Sequence, residues 1–128
     1  MTKTAAELVA EAKARVENLN VDQVAAELAE RDVLLVDLRE PEELAATGKI
    51  PGAVHVPRGM LEFRADPTSP YHTEGFDPSR RVIVHCAAGG RSALAAAALQ
   101  DMGYQNVAHL DGGFTAWKEA GRPVEPGG

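Results

Sequence analysis

The chain opens on apolar positions at helical spacing. Leu8, Val9, Ala12, Val16 and Leu19 recur on one face, and Thr4 and Glu7 have the types and separation of a capping box. Together they predict an amphipathic first helix. With Asn20 as its cap, a second helix is predicted from Val21 through Val24, Ala25 and Leu28, stopping near Glu30. The period then changes. Val33 to Asp37 is a short continuous apolar run, the pattern of a strand covered on both faces as in a parallel sheet. Pro41 begins a short acidic helix, and the turn at Ile50-Pro51-Gly52 leads into a second strand over 53–56. Residues 58–64 predict a short helix, and 65–79 a polar, proline-containing loop of a length that is often functional. A third strand is predicted over 81–85, and the alanine-rich stretch 92–102 is the strongest helix signal, ended by Gly103. Val107 to Leu110 reads as a last strand, followed by the turn Asp111-Gly112-Gly113 and a helix over 114–120. Strands alternating with helices predict an α/β domain with a mostly parallel sheet.

Composition narrows the classes. At 128 residues, 45% hydrophobic and 25% charged, the chain suits one soluble domain. No apolar run approaches the ~20 residues of a membrane helix, and the charged amino terminus lacks the pattern of a secretory signal, so the expected location is the cytoplasm. The single cysteine excludes an intrachain disulfide, a CxxC redox pair and a cysteine-rich zinc site. No histidine spacing suggests a metal, and no cofactor is expected. A net charge of -6 argues against a nucleic-acid surface. Acidic side chains outnumber basic ones before residue 50 and after residue 91, whereas the segment between carries Arg58, Arg64, Arg80, Arg81 and Arg91. That segment, the one suited to a small anion, ends on the loop holding Cys86.

The chemistry centres on Cys86. In VIVH-CAAGGR-SALAAAAL a buried strand runs into a six-residue loop and then a helix. In α/β sheets ligands bind outside the carboxyl ends of strands, and the cysteine stands there, expected to face solvent. Gly89 and Gly90 permit backbone conformations that let successive amides turn inward as an anion-binding nest, backed by the next helix's amino terminus. Such a nest favours the nucleophilic thiolate over the thiol. Arg91 is expected to add a fixed positive charge at the end of the loop. A lone cysteine is more often inert packing, but packing needs neither the two glycines nor the arginine. His85 neighbours Cys86 on a strand and is expected to face away from it. His55, His109 and Trp117 are read as packed or hydrogen-bonded core residues, Asp37 and Arg39 as ties at a strand end, and His72 as a surface residue of the long loop. Arg58 and Arg64 are candidate contacts at the site's rim, with a surface pair to Glu62 as the alternative.

The loop CAAGGRS resembles the active-site loop of the rhodanese family of sulfurtransferases. VDLREPEELAATGKIPGAVHVP and LDGGFTAWKEAGRPV resemble that family's amino- and carboxy-terminal signatures, and the likeness covers about residues 19–125. The resemblance implies a rhodanese domain over 19–125, preceded by a helical extension (1–18) and followed by a short tail (126–128). It implies a five-stranded, mostly parallel sheet flanked by helices on both faces. It further implies that Cys86 carries sulfur as a persulfide, with Ala87, Ala88, Gly89, Gly90, Arg91 and Ser92 supplying the substrate-binding loop. The donor implied is a small sulfur-donor anion such as thiosulfate, or a protein persulfide, and the acceptor a thiol or cyanide. Alanines at 87 and 88 stand where thiosulfate-using members often carry bulky basic residues, which leaves both donors open. Two other readings are a non-catalytic binding or sensing module and a Cys-x5-Arg phosphatase or arsenate reductase. Against the latter, Cys86 and Arg91 have four residues between them, a shorter and tighter loop.

Overall fold

The computed structural model describes residues 2–127. In chain order the elements are α1 (Ala5–Arg15), β1 (Glu17–Leu19), α2 (Val21–Glu30), β2 (Leu34–Asp37), α3 (Pro41–Thr47), β3 (Val54–His55), a 3-10 turn (Arg58–Met60), α4 (Leu61–Ala65), β4 (Val82–His85), α5 (Gly90–Asp101), β5 (Val107–Leu110) and α6 (Gly113–Glu119). The strands form one parallel sheet in the order β1-β5-β4-β2-β3. This is the α/β architecture expected, with the cysteine strand β4 in the centre.

Alternation along the strands divides the core in two. Leu34, Val36, Val82, Val84 and Val107 face α1, α4 and α5, where they pack with Leu61, Ala93, Ala96 and Leu99. Leu35, Ile83, Ala108 and Leu110 face α2 and α6, meeting Val24, Phe114 and Trp117. A buried Val, Leu or Ile is worth roughly 1.5–3 kcal/mol, so both faces must stay covered, and the helices on each side do this. Residues 82, 84 and 86 follow the first face and 83 and 85 the second. This alternation sends Cys86 towards α5 and His85 the other way.

One expectation is corrected. Helical spacing carried the first helix on to Leu19, but α1 ends at Arg15. Val16 is already extended, and Glu17 to Leu19 pair with Ala108 to Leu110. Asn18 makes the break: its Nδ2 donates to the carbonyls of Lys13 (2.9 Å) and Val16 (3.0 Å), answering groups the helix end leaves open. Leu19 is buried from a strand, on the face opposite α1.

The long loop after α4 is pinned by its own residues. Asp66 and Asp77 cap tight turns through Thr68 and Ser79, Phe76 is buried edge-on against Tyr104 at 6.4 Å, and His72 bonds the Phe76 carbonyl at 3.0 Å. The bond from the Tyr104 hydroxyl to Ala65 O (2.7 Å) closes it onto the end of α5.

Candidate active site

Cys86 follows the last residue of β4 and lies under its own loop, only 1% exposed. The expected solvent-facing thiol is therefore corrected. The backbone rises from the strand and folds back over the sulfur because Gly89, at φ +113, turns the chain directly into α5. That fold-back aims amides at the sulfur. The Gly89 N–H donates to Sγ at 3.2 Å and the Ser92 N–H at 3.4 Å, with Ser92 Oγ at 3.5 Å. The amino end of the twelve-residue α5 stands over the same atom.

The outer side of the loop is held by the turn into α6. Cys86 O accepts the Phe114 N–H at 2.8 Å, and Ala87 O accepts the Thr115 N–H at 3.0 Å. With these carbonyls fixed outward, the following N–H groups are free to point in. Gly113 makes the approach possible: at φ +62, a Cβ there would lie 2.5 Å from both carbonyl oxygens. The Asp111-Gly112-Gly113 turn is thus a mould for the cysteine loop as well as a helix start.

Arg91 is not a free cation. Its guanidinium forms two bonds to Glu43 of α3, at 2.7 and 3.0 Å, which corrects the expectation of an unmatched positive charge. The Arg91 bonds are the main cause holding the Glu43 carboxyl down to about 2. Glu43 also accepts the Glu40 N–H at 3.0 Å, so the pair ties the loop to the start of α3. Sequence reasoning missed Glu43. The one signal setting it apart within REPEEL is its capping-box spacing from Glu40.

Beneath the loop, on the opposite face of the sheet, Arg39 binds both Asp37 oxygens (3.0 and 2.8 Å), reaches Thr47 and the Gly48 carbonyl, and stacks 4.1 Å above the Phe114 ring. Asp37 and Arg39 are structural ties. The bonds from Arg39 lower the Asp37 carboxyl against the opposing effect of burial. His85 is fully buried, with Nε2 3.7 Å from Asp37 Oδ2, and burial pushes it down, towards the neutral ring. His55 bonds the Arg39 carbonyl at 2.6 Å, and Trp117 donates to Pro123 O at 2.8 Å.

The two candidate rim arginines are already engaged. Arg58 pairs with Glu62 at 2.8 Å, while its backbone N–H bonds Leu38 O at the sheet's carboxyl edge, the edge that carries Cys86. Arg64 reaches Thr73 Oγ1 at 3.2 Å. The arrangement that sequence spacing could not show runs the other way from the sulfur. Ser92 Oγ lies 2.9 Å from His109 Nδ1, and His109 Nε2 lies 2.7 Å from Asn18 Oδ1.

Among the described residues no group of three or more His, Cys, Asp or Glu side chains is placed to hold a metal, and no helix is long and apolar enough to cross a membrane. Chemically, the site offers one buried sulfur with amide donors converging on it.

Comparison with known proteins points to one family. The family model described as "Rhodanese-like domain" matches residues 20–120. A sulfurtransferase of Allochromatium vinosum is 38% identical over 93 residues, 73% of this chain and 78% of that protein. A thiosulfate sulfurtransferase structure from Pseudomonas aeruginosa superposes with a TM-score of 0.77 at 32% identity, covering 97% of this chain and 23% of that one. A structure from Rhodopseudomonas palustris, described as a protein of unknown function and possible tyrosine phosphatase, has a TM-score of 0.92 at 43% identity, covering 98% and 96%. Two further relatives are longer proteins, of which the match spans less than half.

Proposed function

This chain belongs to the rhodanese-like domain family, and on that premise we propose that it is a sulfurtransferase carrying sulfur as a Cys86 persulfide. The observation that supports this best is the pair of backbone N–H groups aimed at a buried Cys86 Sγ, at 3.2 and 3.4 Å. In the first half-reaction the Cys86 thiolate attacks the outer sulfur of the donor. A Cys86 S–S bond forms, the donor's bond to that sulfur breaks, and its electron pair leaves with the donor as sulfite or a thiolate. In the second, a thiol or cyanide attacks the outer persulfide sulfur and Cys86 departs as thiolate. Negative sulfur appears at Cys86 at both ends of the cycle, where fixed amide dipoles stabilise it without reorganising. Ala87 to Gly89 in the loop and Gly90 to Ser92 in the first turn of α5 would surround the carried sulfur, with small side chains at 87 and 88 leaving the entrance open to thiosulfate or to a protein persulfide. Arg91 serves the loop through Glu43, bracing it, while the Arg58 guanidinium is already paired with Glu62.

The phosphatase reading carried by the Rhodopseudomonas neighbour's description fits this chain less well. A phosphate clamp needs a longer loop and an arginine free to grip the oxyanion, whereas Arg91 is bound to Glu43. A non-catalytic role is disfavoured by the retained cysteine. Steady-state kinetics with thiosulfate or glutathione persulfide as donor and cyanide as acceptor test the proposal. Parallel double-reciprocal lines, the signature of a covalent carrier, are expected. Hydrolysis of an aryl phosphate with no sulfur transfer would overturn it.

A further inference from the structure

The proton of Cys86 has a route inward. Asn18 Nδ2 faces two carbonyls, which can only accept, so its Oδ1 is the atom turned to His109. Oδ1 accepts, so His109 Nε2 carries a hydrogen and Nδ1 presents a lone pair. Ser92 has one hydroxyl proton and three acceptors near it: His109 Nδ1 at 2.9 Å, Gly89 O at 3.3 Å and Cys86 Sγ at 3.5 Å. The shortest contact takes it, leaving the Ser92 oxygen to accept from the thiol. Ser92 and His109 are both fully buried, so no water is needed to complete the chain.

We propose that His109 takes up the Cys86 proton through Ser92, with Asn18 holding the ring in the tautomer that permits it. The sulfur's proton moves to Ser92 Oγ as the hydroxyl proton moves to His109 Nδ1. The products are a thiolate and an imidazolium, with no other bond made or broken. The imidazolium then donates from Nε2 to Asn18 and from Nδ1 to Ser92, and the Ser92 hydroxyl turns its hydrogen to the sulfur. His109 is thus a positioning residue acting through Ser92. It is not the neighbour of Cys86 in sequence, His85, which faces Asp37 on the other side of the sheet.

Burial pushes His109 down, so the ring rests neutral and able to accept. The charged groups facing it are Asp111, after β5, which favours the imidazolium, and Lys13 of α1, which opposes it. They are 3.0 Å apart and pair with each other. On the sulfur side stand Arg91 of α5 and Glu43 of α3, likewise paired. Asn18 lies just outside the part of the chain that matches the family model, in the strand that ordinary helical spacing conceals.

The inference takes Cys86 as the nucleophile, but its test reads the sulfur's proton and not sulfur transfer, so the two can fail separately. Alkylation by neutral iodoacetamide is followed against pH. In His109→Asn, which accepts the Ser92 hydrogen bond but cannot take a proton, the pH of half-maximal rate rises by about one unit. In Asn18→Asp a carboxylate stabilises the imidazolium and the midpoint falls by several tenths of a unit. In the Ser92→Ala background the His109→Asn change has no effect on the midpoint. Asn18 is exposed, so Asn18→Asp, which gives up the donors to Lys13 O and Val16 O but leaves the core untouched, decides the matter if His109→Asn does not fold. An unchanged or raised midpoint in folded Asn18→Asp overturns the proposal, as does an unchanged midpoint in folded His109→Asn.

Discussion

The two ends of β4 each bury a polar group, and they solve the problem in opposite ways. At the amino end Arg81, 5% exposed, donates to both oxygens of Glu27 (2.8 and 2.7 Å), to Glu17 (2.7 Å) and to Asn106 (2.9 Å). Every charge there meets a counter-charge, and the cluster clips α2 and β1 to the sheet. At the carboxyl end Cys86 makes no ion pair among the described residues, and the cation near it, Arg91, is already paired with Glu43. The sulfur meets amide hydrogens and a hydroxyl whose own partner is a titratable ring. A matched cluster has nothing left to react with, whereas donors converging on a sulfur stabilise whatever negative charge chemistry puts there. On the proposed function, the contrast sets a structural buried cluster against a reactive one, although both are buried.

Substitutions at the two ends should sharpen the contrast. Cys86→Ser should abolish sulfur transfer to below detection while leaving the urea midpoint close to that of the parent, because a hydroxyl fills the same space without the sulfur's nucleophilicity. Arg81→Met should do the reverse. Stranding Glu27 should cost about 3 kcal/mol in urea unfolding, while sulfur loading by the folded protein stays within about twofold. A large loss of loading in folded Arg81→Met would break the division of labour between the ends.

Gly113→Ala tests the mould behind the loop. A Cβ at 2.5 Å from the Cys86 and Ala87 carbonyls must push the loop away from its amide geometry, and misplacement of about 1 Å can cost ~100-fold in rate. Sulfur loading is expected to fall by about that factor, beyond any effect on stability, and loading at the parental rate would show that the loop does not depend on α6.

The smallest effect concerns the Arg91–Glu43 brace. Because the Glu43 carboxyl is held down to about 2 in the folded protein against an ordinary 4.5, its contribution to stability is present in full above the ordinary value and is lost as pH falls towards 2. Glu43→Gln should therefore narrow the stability gap between parent and variant as pH drops from 6 to 3. With the pair one-third exposed, the whole effect should stay under ~1 kcal/mol by urea unfolding. A gap that widens on acidification would contradict the sign.

Much of the site was legible because its parts are local. The strand, the two glycines, the arginine and the start of α5 occupy consecutive positions, and β2 and β4 carry the short apolar runs 34–36 and 82–84 of the kind a strand covered on both faces shows. What stayed hidden lies in contacts between distant segments. Leu19 satisfies helical spacing and strand burial equally well, and pairing with β5 decides between them. The partner of Arg91 is 48 residues away, in a helix start with three glutamates to choose from. The burial of Cys86 depends on how the loop folds back over the sulfur, which no residue type announces. Asn18, Ser92 and His109 come from three elements, and only the parallel register of Asn18 against His109 lines them up.

The most direct test is the intact mass of the reduced protein after incubation with a sulfane donor, thiosulfate in one series and a protein persulfide in another. The account predicts one added sulfur, mapped to Cys86 and released to cyanide as thiocyanate. An unchanged mass with both donors, in folded protein whose Cys86 still alkylates, would contradict it.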